Sequence, residues 1–171
     1  MIKIIKGDLF DTNAKFICHQ VNCAGKMGSW VALQVRQKYP HVYKEYKKVA
    51  SEDMLGEVQI IPVNSKFIGH EPGDIWCGMK VKGFRETQWI CNLFAQKSYG
   101  YDDGKQYTSN EALRQCFKKL AGMVHEKNNN FGQTIAMPYK IGCCRGGSDW
   151  SDVANIIEEE FKDCNVELWR L

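Results

Sequence analysis

At 171 residues the chain has room for one well-buried core and little more, so a single domain spanning 1–171 is the expected organisation. Hydrophobic residues make up 44% and charged residues 25%, which excludes a disordered or fibrous chain. The formal charge of +3 is too weak to argue for a nucleic-acid groove, where basic residues cluster in stripes, and Lys44, Lys47 and Lys48 read as the solvated face of a helix.

The opening "MIKIIKGDLF" has a β-branched run that ends at Gly7 and Asp8, the pattern of a short strand entering a turn. It has no signal-peptide core, and no run reaches the length of a membrane span, so a cytoplasmic protein with no membrane partner is expected. A second strand, "KFICHQV", follows. From Ser29 onward Val31, Ala32, Val35 and Tyr39 recur at helical spacing until Pro40. A strand therefore passes through a glycine-bearing loop into an amphipathic helix. A second helix over roughly 41–51 precedes the strand "GEVQIIPV", which Pro62 helps to close. The Gly-rich stretch from Gly69 to Thr87 reads as a long hairpin, a loop rather than a lid, before the buried-type strand "WICNLFAQ".

In "TSNEALRQCFKKLAGMVHEK" Thr108 stands three residues before Glu111, a capping-box spacing, and Leu113, Cys116, Phe117, Leu120 and Val124 share one helical face. "QTIAMP" is a core strand closed by Pro138, and "YKIGCCRGGSDW" is a glycine loop. Trp150, Val153, Ile157 and Phe161 mark a last helix, and "VELWRL" a last strand. Strands alternating with helices predict an α/β domain with a largely parallel sheet covered on both faces. Ligands of such sheets bind outside the carboxyl ends of the strands, where both glycine loops lie.

Eight cysteines invite a zinc or disulfide reading, but none forms CxxC. Cys18, Cys91 and Cys116 sit in apolar runs, where the residue behaves as a small hydrophobe, so free thiols in a reducing compartment are expected.

The two loops, Asn22 to Ser29 and Gly142 to Asp149, carry the chemistry. Glycine there lets backbone N–H groups approach a ligand, and a following helix N-terminus favours an anion, so together the loops suit a phosphate-binding cleft. The alternative is that they are packing turns; neither matches a dinucleotide fingerprint or a P-loop. Asn22, delivered by an apolar strand, either orients a sugar hydroxyl or caps its own turn. His19 on the same strand is either a general acid or base or a structural residue. Asp8 either accepts from the exocyclic amine of a base or caps its turn. No Ser/His/Asp order, no HExxH and no readable carboxylate pair is present.

The segments "GDLF", "HQVNCAGKMGSWVALQVRQKYP", "NLFAQ", "AMPYKIGC" with a following "DW", and the closing "ELW", in this order, resemble a macrodomain. The similarity covers nearly the whole chain and is strongest to the branch that includes terminal ADP-ribose glycohydrolases and ADP-ribose 1″-phosphate phosphatases. It implies a three-layer α/β/α fold with a mixed, largely parallel sheet, binding of ADP-ribose or a close derivative, and hydrolysis at the distal ribose. It implies no metal and no cofactor, a monomer, and nucleic acid only as an ADP-ribosylated substrate; protein esters and ADP-ribose 1″-phosphate are the other substrates of that class.

Residue by residue, the resemblance puts Asp8 and Leu9 at the adenine, and Asn22, Gly25, Lys26, Met27, Gly28, Ser29 and Trp30 at the distal ribose. It puts Ile141, Gly142, Cys143, Cys144, Arg145 and Gly146 at the diphosphate. Asn22 and His19 are the catalytic candidates, His19 standing where the phosphatases have a histidine. Gln96 stands where the glycohydrolases have a lysine, with Lys97 one place later, and Gly146 where they have an aspartate, the nearest acid being Asp149. A lysine mechanism is therefore in doubt. Two competing readings follow: a module that binds the nucleotide without turning it over, and, against the missing GxGxxG, a dinucleotide oxidoreductase.

Trp30 departs from the resemblance, because the family mostly has glycine there. Its indole either packs into the core, or reshapes the distal-ribose pocket and stacks on a sugar or base, or is a substitution that alters or blocks the site.

Overall fold

The computed structural model describes residues 1–63, 88–100, 102, 104–126 and 134–171, together with the pairing of four two-residue strands within 64–87. In chain order the elements are β1 (Ile2–Lys6), β2 (Phe16–Asn22), α1 (Trp30–Lys38), α2 (Pro40–Val49) and β3 (Val58–Val63). They continue with β4 (Lys66–Phe67), β5 (Ile75–Trp76), β6 (Met79–Lys80), β7 (Phe84–Arg85) and β8 (Gln88–Gln96), then α3 (Asn110–Glu126), β9 (Thr134–Pro138), α4 (Trp150–Glu160) and β10 (Asn165–Arg170).

Six strands form one sheet in the order β1-β10-β9-β2-β8-β3. Every neighbouring pair is parallel except β3 and β8. The mixed, mostly parallel sheet is the expected α/β architecture. Pro62 lies inside β3 rather than at its end, which the sheet tolerates because β3 is an edge strand that needs no ladder bond from that nitrogen. β4 pairs with β7 and β5 with β6, both antiparallel; whether the stretch over 69–87 is a loop or a lid lies outside the described residues.

Alternation on β2 feeds two cores. Phe16 and Cys18 join Leu113, Phe117, Ile157 and Phe161 under α3 and α4, whereas Ile17 and Val21 join Val35, Val42 and Tyr46 under α1 and α2. Helices thus cover both faces, giving three layers. β2 is buried on both faces, so apolar residues point both ways along it, and its polar residues His19, Gln20 and Asn22 gather towards its carboxyl end instead of alternating.

Two element boundaries differ from the sequence reading. Pro40 does not merely stop α1 but opens α2, at the first helical position, where its missing N–H costs nothing. The cap of α3 is Ser109, whose Oγ accepts from Ala112 N at 3.1 Å, and not Thr108. Thr108 is diverted into contacts between loops.

Candidate functional site

At the carboxyl ends of β2, β8 and β9 the chain leaves a cavity of about 770 Å³, within the range of small-molecule sites. Its lining includes residues from both glycine loops, from the turn after β1 and from the start of α1. Asp8, Leu9, Asn22, Lys26, Met27, Gly28, Ser29, Trp30, Gln96, Ile141, Gly142, Cys144, Arg145 and Gly146 all border it, as does His19. Gly25 and Cys143 belong to the same loops but are not on its wall.

Asn22 caps its own loop. Its Oδ1 accepts from Ala24 N and Lys26 N, each at 3.1 Å, and from the Tyr46 hydroxyl at 3.0 Å, while Nδ2 donates to Lys26 O at 2.7 Å. Tyr46 also donates to Asn22 O at 2.7 Å, and burial raises the phenol's pKa, so this hydroxyl stays a donor. Of the two roles left open by the sequence, turn capping is the one these bonds display, and the second Nδ2 hydrogen is what remains for a ligand. Gly25 turns the loop at φ +73°, a conformation that glycine adopts without steric penalty.

His19 is buried and hydrogen-bonds through Nε2 to Asn92 Oδ1 at 2.7 Å. A chain of amides assigns its tautomer. Gln59 Nε2 donates to Glu45 O, Asn92 Nδ2 donates to Gln59 Oε1, and Asn92 Oδ1 is thereby left to accept from His19. Nδ1 then carries a lone pair and has no partner among the described residues. Burial lowers the imidazole pKa to about 4, outweighing the Asn92 bond, so His19 is neutral at neutral pH. Burial thus disfavours a resting imidazolium at that pH, and Nδ1 is an acceptor.

The second loop is shaped around Thr108. Its Oγ1 donates to Gly142 O at 2.9 Å and accepts from Gln20 Nε2 at 2.7 Å, and its N–H donates to Gly146 O at 2.9 Å. A Cβ on Gly146 would stand 2.0 Å from Thr108 Oγ1 and 2.2 Å from Gly142 O, so only glycine fits. Gly142 has φ +78° and Lys140 φ +59°. The N–H groups of Cys143, Gly147 and Ser148 are used by carbonyls of the same loop, leaving those of Gly142, Cys144 and Gly146 outside the internal set. Burial pushes the Cys143 thiol up to about 11 and Cys116 to about 12, so both stay protonated.

The expected anion role for the N-terminus of α4 does not hold. Asp149 caps that helix through Oδ1, which accepts from Ser151 N at 2.7 Å, and the bonds from Ser151 hold its carboxyl below the usual range. A carboxylate already sits where the dipole would attract an anion. Asp149 is not on the cavity wall, and neither is Lys97, which pairs with Glu52 at 3.6 Å. Gln96 instead accepts from Gln20 Nε2 at 2.6 Å and donates to Ser98 O at 2.9 Å.

Asp8 is exposed and caps the turn Leu9–Asp11 through Oδ1, which accepts from Phe10 N at 2.9 Å. Its other oxygen takes no part in the bonding of that turn. Trp30 is the first residue of α1, with φ +48° and 64% of its surface exposed, so the reading that packs it into the core is overturned. A left-handed backbone is the physical reason for a glycine preference at this position. Arg145 Nη1 donates to the neighbouring Ser29 Oγ at 2.5 Å and ties the two loops together across the cavity.

Sequence reasoning missed Gln20, Tyr46, Thr108 and Asn92. Gln20 and Asn92 carried a signal, being polar residues inside apolar strands; Tyr46 and Thr108 carried none, because each reads as an ordinary helix-face or capping residue.

No protein-family model matches the chain. A DNA ADP-ribosyl glycohydrolase of Mycobacterium bovis is 37% identical over 162 residues, covering 95% of this chain and 39% of that protein. The corresponding Thermus aquaticus protein is 24% identical over 170 residues, 99% of this chain and 40% of its own. The chain thus spans about two-fifths of the length of the curated relatives it matches. Among solved structures, the macrodomain of Mycobacterium tuberculosis DarG superposes with a TM-score of 0.73 at 20% identity, covering 100% of this chain and 98% of that one. Thermosipho africanus DarTG in complex with ADP-ribose superposes at 0.70 with 15% identity over 98% of this chain and 41% of that chain.

Proposed function

From the macrodomain fold of this chain we propose that it binds ADP-ribose across the cavity and hydrolyses a bond at C1″ of the distal ribose. The observation that carries the reading is the second loop. Gly146 can bear no side chain, Gly142 is left-handed, and three N–H groups lie outside the loop's own bonds, the arrangement that holds a diphosphate through backbone donors. The similarity to DNA ADP-ribosyl glycohydrolases and to DarTG in complex with ADP-ribose supports this ligand and makes DNA-linked ADP-ribose a substrate to test.

In this reading the second Asp8 oxygen accepts from the adenine amine beside Leu9, and Lys26 to Ser29, on the loop that Gly25 turns, enclose the distal ribose. Asn22 holds that loop in shape and offers its remaining N–H. Water adds its oxygen to C1″ while the leaving atom departs with a proton. His19 Nδ1, buried and without a partner among the described residues, is the acceptor that a hydroxyl or the water would have to reach. With a pKa of about 4 it is a weak base, so orientation and backbone hydrogen bonds supply most of the acceleration. Lys97 and Asp149 take no part, consistent with their absence from the cavity wall.

The test is calorimetric titration with ADP-ribose, followed by product analysis on an ADP-ribosylated oligonucleotide. Saturable binding with release of free ADP-ribose supports the proposal. Binding without product would make the chain a sequestering module, and no binding would end the ADP-ribose reading.

A further inference from the structure

Two cations on the cavity wall take no part in the reading above. Arg145 is tied to Ser29, Lys26 belongs to the first loop, and Arg36 lies over the Tyr43 ring, its guanidinium carbon 4.7 Å from the centroid. Lys140 and Arg170 remain, and among the described residues neither forms an ion pair with a carboxylate. The two converge on one side chain. Lys140 Nζ lies 5.8 Å and the Arg170 guanidinium carbon 5.9 Å from the centroid of the Tyr139 ring, which packs on Trp150 at 4.8 Å between centroids. Backbone bonds fix all three residues: Tyr139 N donates to Trp169 O at 2.7 Å, Gly7 N to Arg170 O at 2.9 Å and Cys143 N to Lys140 O at 3.0 Å. Lys140 also carries strain. Its φ of +59° is left-handed, where glycine or asparagine sits more easily, so a lysine in that conformation points to a use for its ammonium.

Sheet order indicates what lies against this pair. β10 runs between β1 and β9, and neighbouring strands are about 4.8 Å apart, so the end of β10 separates the turn at Asp8 from the segment that enters the second loop. With adenine at Asp8 and the diphosphate on Gly142 to Gly146, the adenosine ribose passes over the ends of β10 and β9, where Arg170 and Lys140 stand. In ADP-ribose that sugar offers only hydroxyls.

We propose that Lys140 and Arg170 form a second anion site, at the adenosine-ribose end of the cavity, for a phosphate monoester carried on that ribose. This rests on the ADP-ribose reading above and adds a ligand class to it. The ligand is ADP-ribose phosphorylated on its adenosine sugar, as arises when a phosphorylated nicotinamide dinucleotide is hydrolysed at its nicotinamide bond. An arginine beside the ribose receives the same phosphate in dinucleotide-binding folds. A monoester carries about one and a half to two negative charges at neutral pH, and its acceptor oxygens suit both a guanidinium fork and an ammonium. The site acts on affinity, because no bond is made or broken at this end of the ligand.

The test is calorimetric titration of the protein, Lys140→Gly, Arg170→Gln, Arg170→Lys and the Lys140→Gly/Arg170→Gln double variant with ADP-ribose and with its 2′- and 3′-phosphorylated forms, at about 0.1 M salt. One phosphorylated form is expected to bind the unsubstituted protein about 5- to 50-fold more tightly than ADP-ribose, and the isomer that gains identifies the hydroxyl. The double variant should lose most of that gain while its affinity for ADP-ribose falls by no more than about threefold, and Arg170→Lys, which keeps the charge without the fork, should retain part of it. Equal or weaker binding of both phosphorylated forms would overturn the proposal. A gain that survives in the double variant would also overturn it, by placing the phosphate elsewhere, and so would equal losses on every ligand, which place the two cations on the diphosphate. Binding of a phosphorylated form alone would support the site and make the phosphate a requirement. If no form binds the unsubstituted protein, the ADP-ribose reading fails and the site with it, an outcome distinct from the others. Thermal melting checks folding, and Lys140→Gly should melt no lower than the unsubstituted protein because glycine relieves the left-handed backbone.

Discussion

His19 shows how little a residue type says about its charge. A histidine within an apolar strand reads either as an acid or base or as a structural residue, and burial leaves it neutral with a pKa of about 4 against an ordinary 6.5. The native state therefore refuses a proton that the unfolded chain accepts between those values. Stability from this group is fully present above about pH 6.5 and falls as pH drops towards 4, by about 3 kcal/mol in all. Urea titrations at pH 7 and pH 4.5 should show a loss in the native protein that His19→Gln reduces; an unchanged difference would mean that His19 is protonated without penalty. Asn22 makes the complementary point. Its amide was legible as a site residue from its place at the strand end, but most of its bonds serve the loop, and the Tyr46 hydroxyl that locks it lies 24 residues away.

Elements were legible where periodicity is local. The strands β2, β8, β9 and β10 and the helices α3 and α4 follow their apolar patterns to within a few residues, because each pattern is the imprint of a face that must be covered. Caps were less legible. Thr108 and Ser109 are adjacent and both suited to capping, and the choice between them is made by the Gly142 carbonyl and Gln20 amide that claim Thr108. Two substitutions separate the roles. Ser109→Ala should cost about 1 kcal/mol of stability, read by urea denaturation, without altering ADP-ribose affinity. Thr108→Ala should weaken ADP-ribose binding as well, because it removes the bond that shapes Gly142 and Gly146. Equal affinities in the two variants would detach Thr108 from the site.

On the scale of the whole molecule, the parallel strands bring their carboxyl ends to one side of the sheet, and the loops that leave them converge on one cavity. Among the described residues no helix is long and apolar enough to cross a membrane. The modest net charge of +3 hides an uneven distribution, since five cationic side chains and one acid line the cavity. Affinity for ADP-ribose should therefore fall several-fold between about 0.05 and 0.5 M salt, whereas adenosine, lacking phosphate, should bind with little salt dependence. Titrations of both ligands at the two salt concentrations check this; parallel behaviour would mean that the cations do not face the diphosphate.

The sequence by itself determined the order of strands and helices, the two glycine loops and the macrodomain resemblance, because hydrophobic period and turn chemistry are written within a few residues of where they act. Only the tertiary structure decided which polar groups are spent on the fold and which face the cavity. Asp149 and Lys97 turn away, Asn22 is mostly committed, and His19 is held as an acceptor by amides from β8 and β3. The left-handed backbone of Trp30 belongs to the same class, since it is the junction of β2, its loop and α1 that imposes it. Hydrogen-bond partners, burial and strain are set by residues distant in the chain, and no local pattern encodes them.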